Sequence, residues 1–356
     1  MSKLIFQSSN LLKKMFDEER CLFAYSTQLN NEKYVNEFSH PAVYRYTINT
    51  LAGIHQANKF YSIDWDFNKI LDRFLSLHSK NITNEGDKGL LLYVLSLANH
   101  ESRHVQFSDL ESIATDRDKL LSLNAQDISW ILLGLTKYAE QQKDTRAAST
   151  AEKTFRVLNR HFFNKDTLLP FHALSRYRKK FVNFGTITHF LASLHEYSKV
   201  FNDKYAETIF LESTRQLISL QGERGEWPWF INAYNAQVFD WYQIYSVHQN
   251  SMAMLFLLPA LDLGINEAET AISKSYRWLF GQNELRTPMI THQPFFIYRS
   301  IRRKGNLKYD RGKRYLRSLI RSSIMNKPAK KINSSQLEIN KECRSYHLGW
   351  LLFVWA

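Results

Sequence analysis

Residues 245–263 read Tyr-Ser-Val-His-Gln-Asn-Ser-Met-Ala-Met-Leu-Phe-Leu-Leu-Pro-Ala-Leu-Asp-Leu, and residues 222–230 read Gly-Glu-Arg-Gly-Glu-Trp-Pro-Trp-Phe. The second half of the first segment is apolar almost all round, which is typical of a helix that is buried on every side. The other segment is a loop rich in Gly, Trp and charge, and long loops of this kind are uncommon unless they serve a function. Polar residues therefore stand where a loop enters a buried helix, and this arrangement predicts a site at the start of that helix.

The same alternation of helix types runs along the whole chain, in which an amphipathic segment is followed six times by a more apolar one. No segment is a convincing strand, and the low content of Gly and Pro, 12 and 7 residues, disfavours a sheet-rich fold. The amphipathic segments are residues 1–20, 64–79, 109–121, 145–163, 203–220 and 267–281, and the apolar ones are residues 44–58, 87–98, 127–138, 183–198, 246–263 and 346–356.

Two architectures fit six such hairpins, an open superhelix of stacked pairs and a closed ring with the apolar helices inside. The ring is favoured because the hairpins number six and because the final helix is too apolar to be a polar terminal cap. We predict an all-α fold, an (α/α)6 toroid in one domain over residues 1–356. A long loop precedes the fifth inner helix, and a basic insertion at about 283–343 precedes the sixth. Contact between residues 346–356 and the helix near 1–20 or 41–58 would distinguish the ring from the superhelix.

Four short motifs support this architecture: Arg45-Tyr46-Thr47, Gly-Glu-Trp-Pro-Trp at 225–229, Tyr-Ser-Val-His-Gln at 245–249 and Tyr-His-Leu-Gly-Trp at 346–350. With the helix pattern, the chain resembles the six-hairpin glycosidase-like proteins, the (α/α)6 toroids. It is also similar to uncharacterised bacterial proteins associated with surface-polysaccharide synthesis. The resemblance implies an active cleft at the end of the ring where loops enter the inner helices. The similarity to the bacterial proteins implies a setting in surface-polysaccharide synthesis, and it assigns no catalytic residue to this chain.

Carboxylates are the first candidates for chemistry, because glycoside hydrolysis needs one carboxyl group as an acid and another as a base or nucleophile. Glu226 ranks first among the loop acids, since it lies between Gly225 and Trp227, where an aromatic wall can raise the pKa of its carboxyl group. Asp87 and Asp127 each begin an apolar helix. Each is either an acid favoured by the helix dipole or a carboxylate at a cleft floor. The predicted catalytic acids are Glu226, Asp87 and Asp240.

Two histidines, His248 and His347, occupy matching positions in the first turns of two predicted inner helices. A single His there is more often a hydrogen-bonded structural residue, but a pair can move protons on and off a sugar carbon, as in an epimerase. A His with Tyr346 and Arg344 also suits a lyase that acts on uronic acids. We therefore add His248 to the catalytic candidates, with a His-dependent polysaccharide lyase or sugar epimerase as the alternative enzyme.

The remaining candidates would bind substrate, because a ring brings the polar residues at the starts of its inner helices to one rim. The loop tryptophans either stack on sugar rings or plug the top of the ring, whereas Trp350 is expected in the core. The predicted substrate-binding residues are Arg45, Tyr46, Asp127, Trp227, Trp229, Tyr245, Gln249, Arg344, Tyr346 and His347.

We predict a carbohydrate-active protein, in first place a glycoside hydrolase-like enzyme that acts on a bacterial poly- or oligosaccharide through cleft carboxylates. An alternative from another class is a non-catalytic glycan-binding or scaffold protein in polysaccharide biosynthesis. The sequence contains no Gly-x-x-x-x-Gly-Lys, Gly-x-Gly-x-x-Gly or Gly-x-Ser-x-Gly motif. Because Cys21 and Cys343 are the two cysteines and no Cys-x-x-Cys pair occurs, we expect no cofactor and no metal.

Compartment is predicted from the same features. The N-terminus lacks the apolar segment of a signal peptide, and no run of 18 apolar residues occurs. Two cysteines also give no disulfide framework. We therefore expect a cytoplasmic protein, which would be peripherally associated with the inner membrane if its partner is there.

Positive charge is concentrated in residues 299–331, which contain 13 Lys and Arg and one acid, a net charge of +12 in a chain of +13. This segment is either a solvated insertion or a partner surface. Residues 311–323 predict a basic amphipathic helix, which suits an anionic glycan, an anionic membrane surface or an acidic partner better than nucleic acid. Its apolar positions are Tyr315, Leu316, Leu319 and Ile320, and its basic positions are Arg314, Arg317 and Arg321.

Overall fold

The computed structural model describes residues 2–31, 33–102, 107–175, 178–305, 320 and 327–356. A π-helical turn, His248–Met252, leads into the eleventh helix. The helices are α1 (Ser2–Met15), α2 (Val43–Phe60), α3 (Phe67–His78), α4 (Glu85–Leu97), α5 (Phe107–Thr115), α6 (Arg117–Ser122), α7 (Ala125–Gln142), α8 (Thr145–Phe162), α9 (Phe184–Phe201), α10 (Lys204–Ser219), α11 (Met254–Asp262), α12 (Glu267–Leu279) and α13 (Ser345–Trp355).

These helices form six hairpins, as predicted. The outer helices α1, α3, α5 with α6, α8, α10 and α12 alternate with the inner helices α2, α4, α7, α9, α11 and α13. Three inner helices begin at an asparagine whose side-chain oxygen accepts the backbone N–H three residues later, which satisfies a donor that has no partner within the helix. These caps are Asn84, Asn124 and Asn183. Because of them, Asp87 and Asp127 occupy equivalent third positions of α4 and α7.

The ring closes between its first and last inner helices. Residue 53 of α2 packs directly on residue 349 of α13, and a Cβ atom built on Gly53 would lie 2.0 Å from the carbonyl oxygen of Gly349. Helix α1 also packs against α13. The predicted contact between the chain's two ends is therefore confirmed, and the fold is an (α/α)6 toroid.

Strands occur in the structure, so the expectation of none was wrong. The fifteen described strands are short and all lie in connections that lead from an outer helix to an inner helix, which places them at one end of the ring, the strand-bearing end. They are β1 (Phe16–Asp17), β2 (Leu22–Phe23), β3 (Ser26–Asn30), β4 (Lys33–Glu37), β5 (Phe163–Asn164), β6 (Leu169–Pro170), β7 (Phe181–Asn183), β8 (Phe230–Asn232), β9 (Gln237–Asp240), β10 (Ile244–Tyr245), β11 (Ile290–His292), β12 (Phe295–Ile297), β13 (Ser300–Arg303), β14 (Leu337–Asn340) and β15 (Glu342–Cys343).

Several of these strands join connections that are distant in sequence. Antiparallel pairing of β15 with β3 places Glu342 opposite Gln28, so the last connection is hydrogen-bonded to the first. Likewise β7 pairs with β8, and β10 pairs with β13. The small sheets therefore hold the loops of the strand-bearing end in fixed positions around the starts of the inner helices.

The basic segment is described only in part. The predicted basic helix over 311–323, with Arg314, Arg317 and Arg321, lies outside the described residues apart from Ile320. Four described cations of the segment pair with acids of the fold: Arg299 with Glu342, Arg302 with Glu338, Arg303 with Asp240 and Lys331 with Glu226. In the described part of the chain, no helix combines the length and apolarity that crossing a membrane requires.

Candidate active site

Two carboxylates lie at the starts of neighbouring inner helices. Asp87 and Asp127 are 9% and 6% exposed. The two helices approach closely because Gly86 has no side chain, and a Cβ atom there would lie 2.5 Å from Oδ1 of Asp127. Arg45, from the next inner helix of the ring, donates from Nε to Oδ1 of Asp87 over 2.5 Å. Three inner helices thus bring two acids and one guanidinium together.

The surroundings of both acids favour their protonated forms. Burial raises the pKa of Asp87, although Arg45 acts in the opposite direction. Burial also raises the pKa of Asp127, where Arg45 opposes the shift and the charge of Asp87 adds to it. Asn124 donates to Oδ2 of Asp127 over 2.5 Å and holds this carboxyl group in place. One acid is thus paired directly with a cation, while its neighbour is held by an amide.

An aromatic wall borders this carboxylate pair. The guanidinium carbon of Arg45 lies 4.9 Å from the ring centroid of Trp130, one helical turn after Asp127. The ring of His189 packs edge-on against Trp130 at 5.0 Å and lies 5.5 Å from Trp350. Trp350 is buried, as expected for a core residue. Cation–π contact and ion pairing together orient the Arg45 side chain.

Three buried histidines, His189, His248 and His347, lie in α9, in the π-helical turn before α11 and in α13. Burial lowers the pKa of each to about 3, and the other two histidines add to this shift at His248. Nε2 of His347 lies 2.8 Å from the amide oxygen of Asn250, within hydrogen-bond distance. All three imidazoles are therefore neutral near pH 7, and each is a weak base.

Tyrosines surround the start of the last inner helix. The ring of Tyr46 lies 4.3 Å from that of Tyr346 and stacks on Tyr25 at 4.8 Å. Burial raises the pKa of Tyr346 to about 12, so its hydroxyl group stays neutral. Tyr245 lies 5.0 Å from His248 and, at 6.0 Å, edge-on to Trp229. These half-buried rings offer flat apolar surface together with hydroxyl groups.

Two arginines share one carboxylate beside the tyrosines. Arg299 and Arg344 both donate to Oε2 of Glu342, over 2.9 and 2.6 Å. Burial alone would raise the pKa of Glu342, but the two guanidinium groups lower it. Arg344 also stacks on Tyr25, with its guanidinium carbon 3.8 Å from the ring centroid. The cluster keeps one net positive charge at the rim.

Glu226 is completely buried, which its position in the sequence did not indicate. Its carboxylate accepts the backbone N–H of Arg224 over 3.0 Å and pairs with Nζ of Lys331. A Cβ atom on Gly222 would lie 2.2 Å from the Glu226 carboxyl carbon, so the loop closes tightly over it. The charge of Glu226 adds to burial in raising the pKa of Glu284 to about 7. These contacts describe an internal ion pair.

Asp240 is held by a cation as well. Both of its oxygens accept from Arg303, over 2.6 and 3.0 Å, and Oδ1 also accepts the backbone N–H of Tyr242. A bidentate pair of this kind is strong and geometrically specific. It joins the end of β9 to the end of β13, and thus connects the fifth and sixth loops at the strand-bearing end.

The predicted loop tryptophans divide between core and surface. Trp227 is fully buried, donates from Nε1 to Oγ of Ser275 over 3.0 Å and packs on Phe184. Trp229 is half-buried and faces Tyr245. The buried Trp227 fits the interpretation that a loop tryptophan plugs the top of the ring. The half-buried Trp229 keeps exposed surface that a sugar could contact.

Gln249 follows His248 in the π-helical turn and is fully buried, with its amide nitrogen 3.4 Å from the backbone oxygen of Tyr245. A π-turn inside a helix is often found at functional sites. Among the residues that the structure describes, no three His, Cys, Asp or Glu side chains are grouped so that they could hold a metal ion.

Sequence reasoning missed Trp130, His189, Tyr25, Arg299 and Glu342. Trp130 had a detectable signal, because it stands three residues after Asp127 and so shares its helix face. Tyr25 and Glu342 reach the rim through pairing between β3 and β15, which joins residues more than 300 positions apart. No local pattern in the sequence marks such a pair.

No protein-family model matches the sequence, and no curated protein matches it. Solved structures do match. Cellobiose 2-epimerase from Bacillus thermoamylovorans B4167 has a TM-score of 0.63 at 11% identity, covering 99% of each chain. An inactive variant of an α-1,6-mannanase of Salegentibacter sp. HEL1_6, with two Asp-to-Asn substitutions and in complex with α-1,6-mannotriose, has a TM-score of 0.61 at 10% identity and covers 99% of this chain and 97% of that one.

A possible member of the GH105 family from Klebsiella pneumoniae subsp. pneumoniae MGH 78578 has a TM-score of 0.61 at 13% identity, covering 99% of this chain and 91% of that one. Other structural neighbours are described as a polysaccharide lyase and a sugar epimerase. At these identities the likeness establishes the architecture. This chain therefore has the (α/α)6 fold of the six-hairpin glycosidase-like proteins.

Proposed function

We propose that this protein is a carbohydrate-active enzyme of the glycoside hydrolase type, in which Asp87 and Asp127 carry out the cleavage of a bacterial oligo- or polysaccharide. Structural neighbours named as hydrolases, epimerases and a lyase support a sugar as the substrate, although they leave the reaction open. The choice among these reactions rests on the chemistry of the residues at the strand-bearing end.

The observation that carries the proposal is the pair of buried carboxyl groups beside Arg45. Hydrolysis requires a protonated carboxyl group that donates to the glycosidic oxygen and a carboxylate that attacks or activates water. Burial raises the pKa of both acids, but at Asp87 the direct ion pair with Arg45 opposes this rise, which suits the base or nucleophile. Asp127 lacks that direct pair and is next to a negative charge, which suits the acid.

The other predicted catalytic residues fit this role less well. Glu226 is enclosed with Lys331, and Asp240 is held by Arg303. His248 has a pKa of about 3, whereas an effective general base has a pKa near the working pH. This difference favours hydrolysis over proton abstraction by a His, as a lyase or an epimerase would need.

Substrate binding is assigned to the rim. Tyr46, Tyr245 and Tyr346 are half-buried, and we assign the contact with the apolar face of a sugar to the exposed part of these side chains. The net positive charge of the Arg299, Arg344 and Glu342 cluster suits a sugar with an anionic group. The proposed setting, the cytoplasmic side of the inner membrane where surface polysaccharide is assembled, rests on the sequence resemblance and stays a prediction.

The test is hydrolysis of a panel of bacterial oligosaccharides by the parent, Asp87→Asn and Asp127→Asn. Each substitution should lower kcat by about 10²–10⁴, because each removes one partner of acid–base catalysis. Asp203→Asn is the matched control. Asp203 begins the outer helix α10 and accepts two backbone N–H groups, a role that Asn fills equally well.

Two further variants separate the alternatives. If Glu226→Gln abolishes turnover in a folded protein while Asp87→Asn and Asp127→Asn retain it, the assignment to the inner-helix pair is wrong. If His248→Ala alone abolishes turnover, a lyase or an epimerase is favoured. A parent protein that binds sugars and converts none is the non-catalytic glycan-binding protein.

A further inference from the structure

A cationic pocket lies outside the candidate active site, between the loop that begins at Gly222 and the C-terminal end of α12. Its volume is about 500 Å³, within the usual range for ligand pockets. The charged side chains that line it are Arg224, Lys274, Arg277 and Arg286, with Glu223 as the single acid. Its formal charge is therefore +3.

The walls of the cationic pocket are fixed by buried polar contacts. Asn283 is 1% exposed, and its amide group donates to the backbone oxygens of Trp278 and Thr287 over 2.9 and 2.7 Å. The Gln221 amide nitrogen bridges Gly225 and α12, over 3.0 Å to each backbone oxygen it contacts. Gly225, with φ of 96°, packs on the backbone of Lys274. A pocket held in this way is preorganised, which reduces the entropic cost of binding.

The positive charges of the four cations in the pocket are not neutralised by ion pairs with the described acids. Within the described part of the chain none of them forms an ion pair, in contrast to Arg299, Arg303 and Lys331. Outside residues 299–331 the chain has a net charge of only +1. Four cations around one acid are therefore a local concentration and do not reflect a uniformly basic surface.

The pocket is on the same end of the ring as the carboxylate pair. The π-helical turn begins at His248 at the strand-bearing end and leads into α11, which ends at Asp262, and the short connection 263–266 turns the chain back into α12. The last turn of α12, with Arg277, thus returns to the strand-bearing end. The loop 222–230 runs from the pocket to the tyrosines of the rim, since Arg224 lines the pocket and Trp229 faces Tyr245.

The geometry points to a second glycan site, in which the cationic pocket binds a carboxylate-bearing sugar of an acidic polysaccharide whose other sugars extend toward Trp229 and Tyr245 at the rim. Arginine suits bidentate contact with a carboxylate, and two of the four cations are in the last turn of α12 and the loop after it. The inference rests on the proposed function for its sugar ligand and adds an anionic substrate class and a distal contact.

The test is isothermal titration calorimetry with an alginate hexasaccharide, which has a carboxylate on every sugar, and with uncharged maltohexaose, at low ionic strength. The parent should bind the first and not the second. Arg277→Gln with Arg286→Gln should weaken binding about tenfold, because two exposed charge-assisted contacts are lost. Both side chains are exposed, so the melting temperature should stay unchanged. Arg277→Lys with Arg286→Lys should retain most of the affinity.

The matched control removes the same charge elsewhere. Lys153→Gln with Arg160→Gln changes two exposed cations on the outer helix α8 and should alter the affinity less than twofold. Equal weakening by both double variants, or none by the first, would overturn the proposal. The proposal is also overturned if Arg277→Gln with Arg286→Gln loses binding to phosphatidylglycerol vesicles but keeps its affinity for the alginate hexasaccharide. The pocket would then bind a lipid surface. Calorimetry measures binding and does not require turnover. If the parent protein hydrolyses no oligosaccharide but binds the alginate hexasaccharide through the pocket, the proposed hydrolysis is refuted and the proposed binding site is not.

Discussion

Gly53→Ala tests the close contact between α13 and α2, the helix that carries Arg45, where the ring closes. The added Cβ would lie 2.0 Å from the Gly349 carbonyl oxygen, and ordinary contact begins at 3.4 Å. Helices α2 and α13 would therefore have to separate by about 1.4 Å, the difference between these two distances. Overpacking of this kind costs about 3 kcal/mol, and the better helix propensity of Ala returns about 1 kcal/mol. The expected net destabilisation is about 2 kcal/mol.

The assay is thermal unfolding followed by circular dichroism. At about 2.1 cal/mol/K per residue, unfolding of a chain this long has an entropy near 0.75 kcal/mol/K, so the melting temperature should fall by about 3 °C. Gly185→Ala, in the first turn of inner helix α9, is the control. Its Cβ would lie 3.3 Å from the nearest heavy atom, Oδ1 of Asn183, so the change should stay within about 1 °C. Equal melting temperatures for parent and Gly53→Ala would refute the close contact.

Two further predictions concern the dependence of stability on pH. The buried histidines His189, His248 and His347 have folded-state pKa values of about 3 against an ordinary 6.5, so the unfolded state binds more protons and stability falls as the pH drops below 6.5. Each should remove about 2 kcal/mol by pH 5, and urea unfolding of His248→Asn should show a shallower decline than the parent. The contribution of Glu284 to stability depends on pH in the opposite direction. Its folded-state pKa of about 7 exceeds the ordinary 4.5, so this contribution to the free energy of unfolding is lost as the pH rises from 4.5 to 7. Glu284→Gln should abolish that loss, and an unchanged stability difference between pH 5 and pH 8 would contradict this assignment.

The helical framework could be predicted from sequence because each hairpin carries its own periodicity. Residues 145–163 were expected as a helix, and α8 spans Thr145–Phe162. The strands could not be predicted, since each described strand has only two to five residues and several gain their stability from partners in other loops. Strand β15, for example, has two residues and pairs with β3 at the other end of the chain.

The candidate site shows the same division. Asp87 and Asp127 were identifiable as first-turn acids of apolar helices, and the ring explains why they meet. The burial of Glu226 was hidden from sequence reasoning, because its cation, Lys331, is 105 residues away. Asp240 likewise pairs with Arg303, 63 residues away, across the small sheets of the strand-bearing end. Long-range ion pairs therefore set the surroundings of these two loop acids.

The most direct test of the proposed active site is a crystal structure of Asp127→Asn soaked with the oligosaccharide that the parent converts. We predict that a glycosidic oxygen lies within about 3 Å of residue 127, with the carboxylate of Asp87 next to the same sugar and Arg45 still paired with it. A sugar bound against Glu226 or Asp240, with the space beside Asp87 and residue 127 free of ligand, would contradict the proposal that the inner-helix carboxylates perform the reaction.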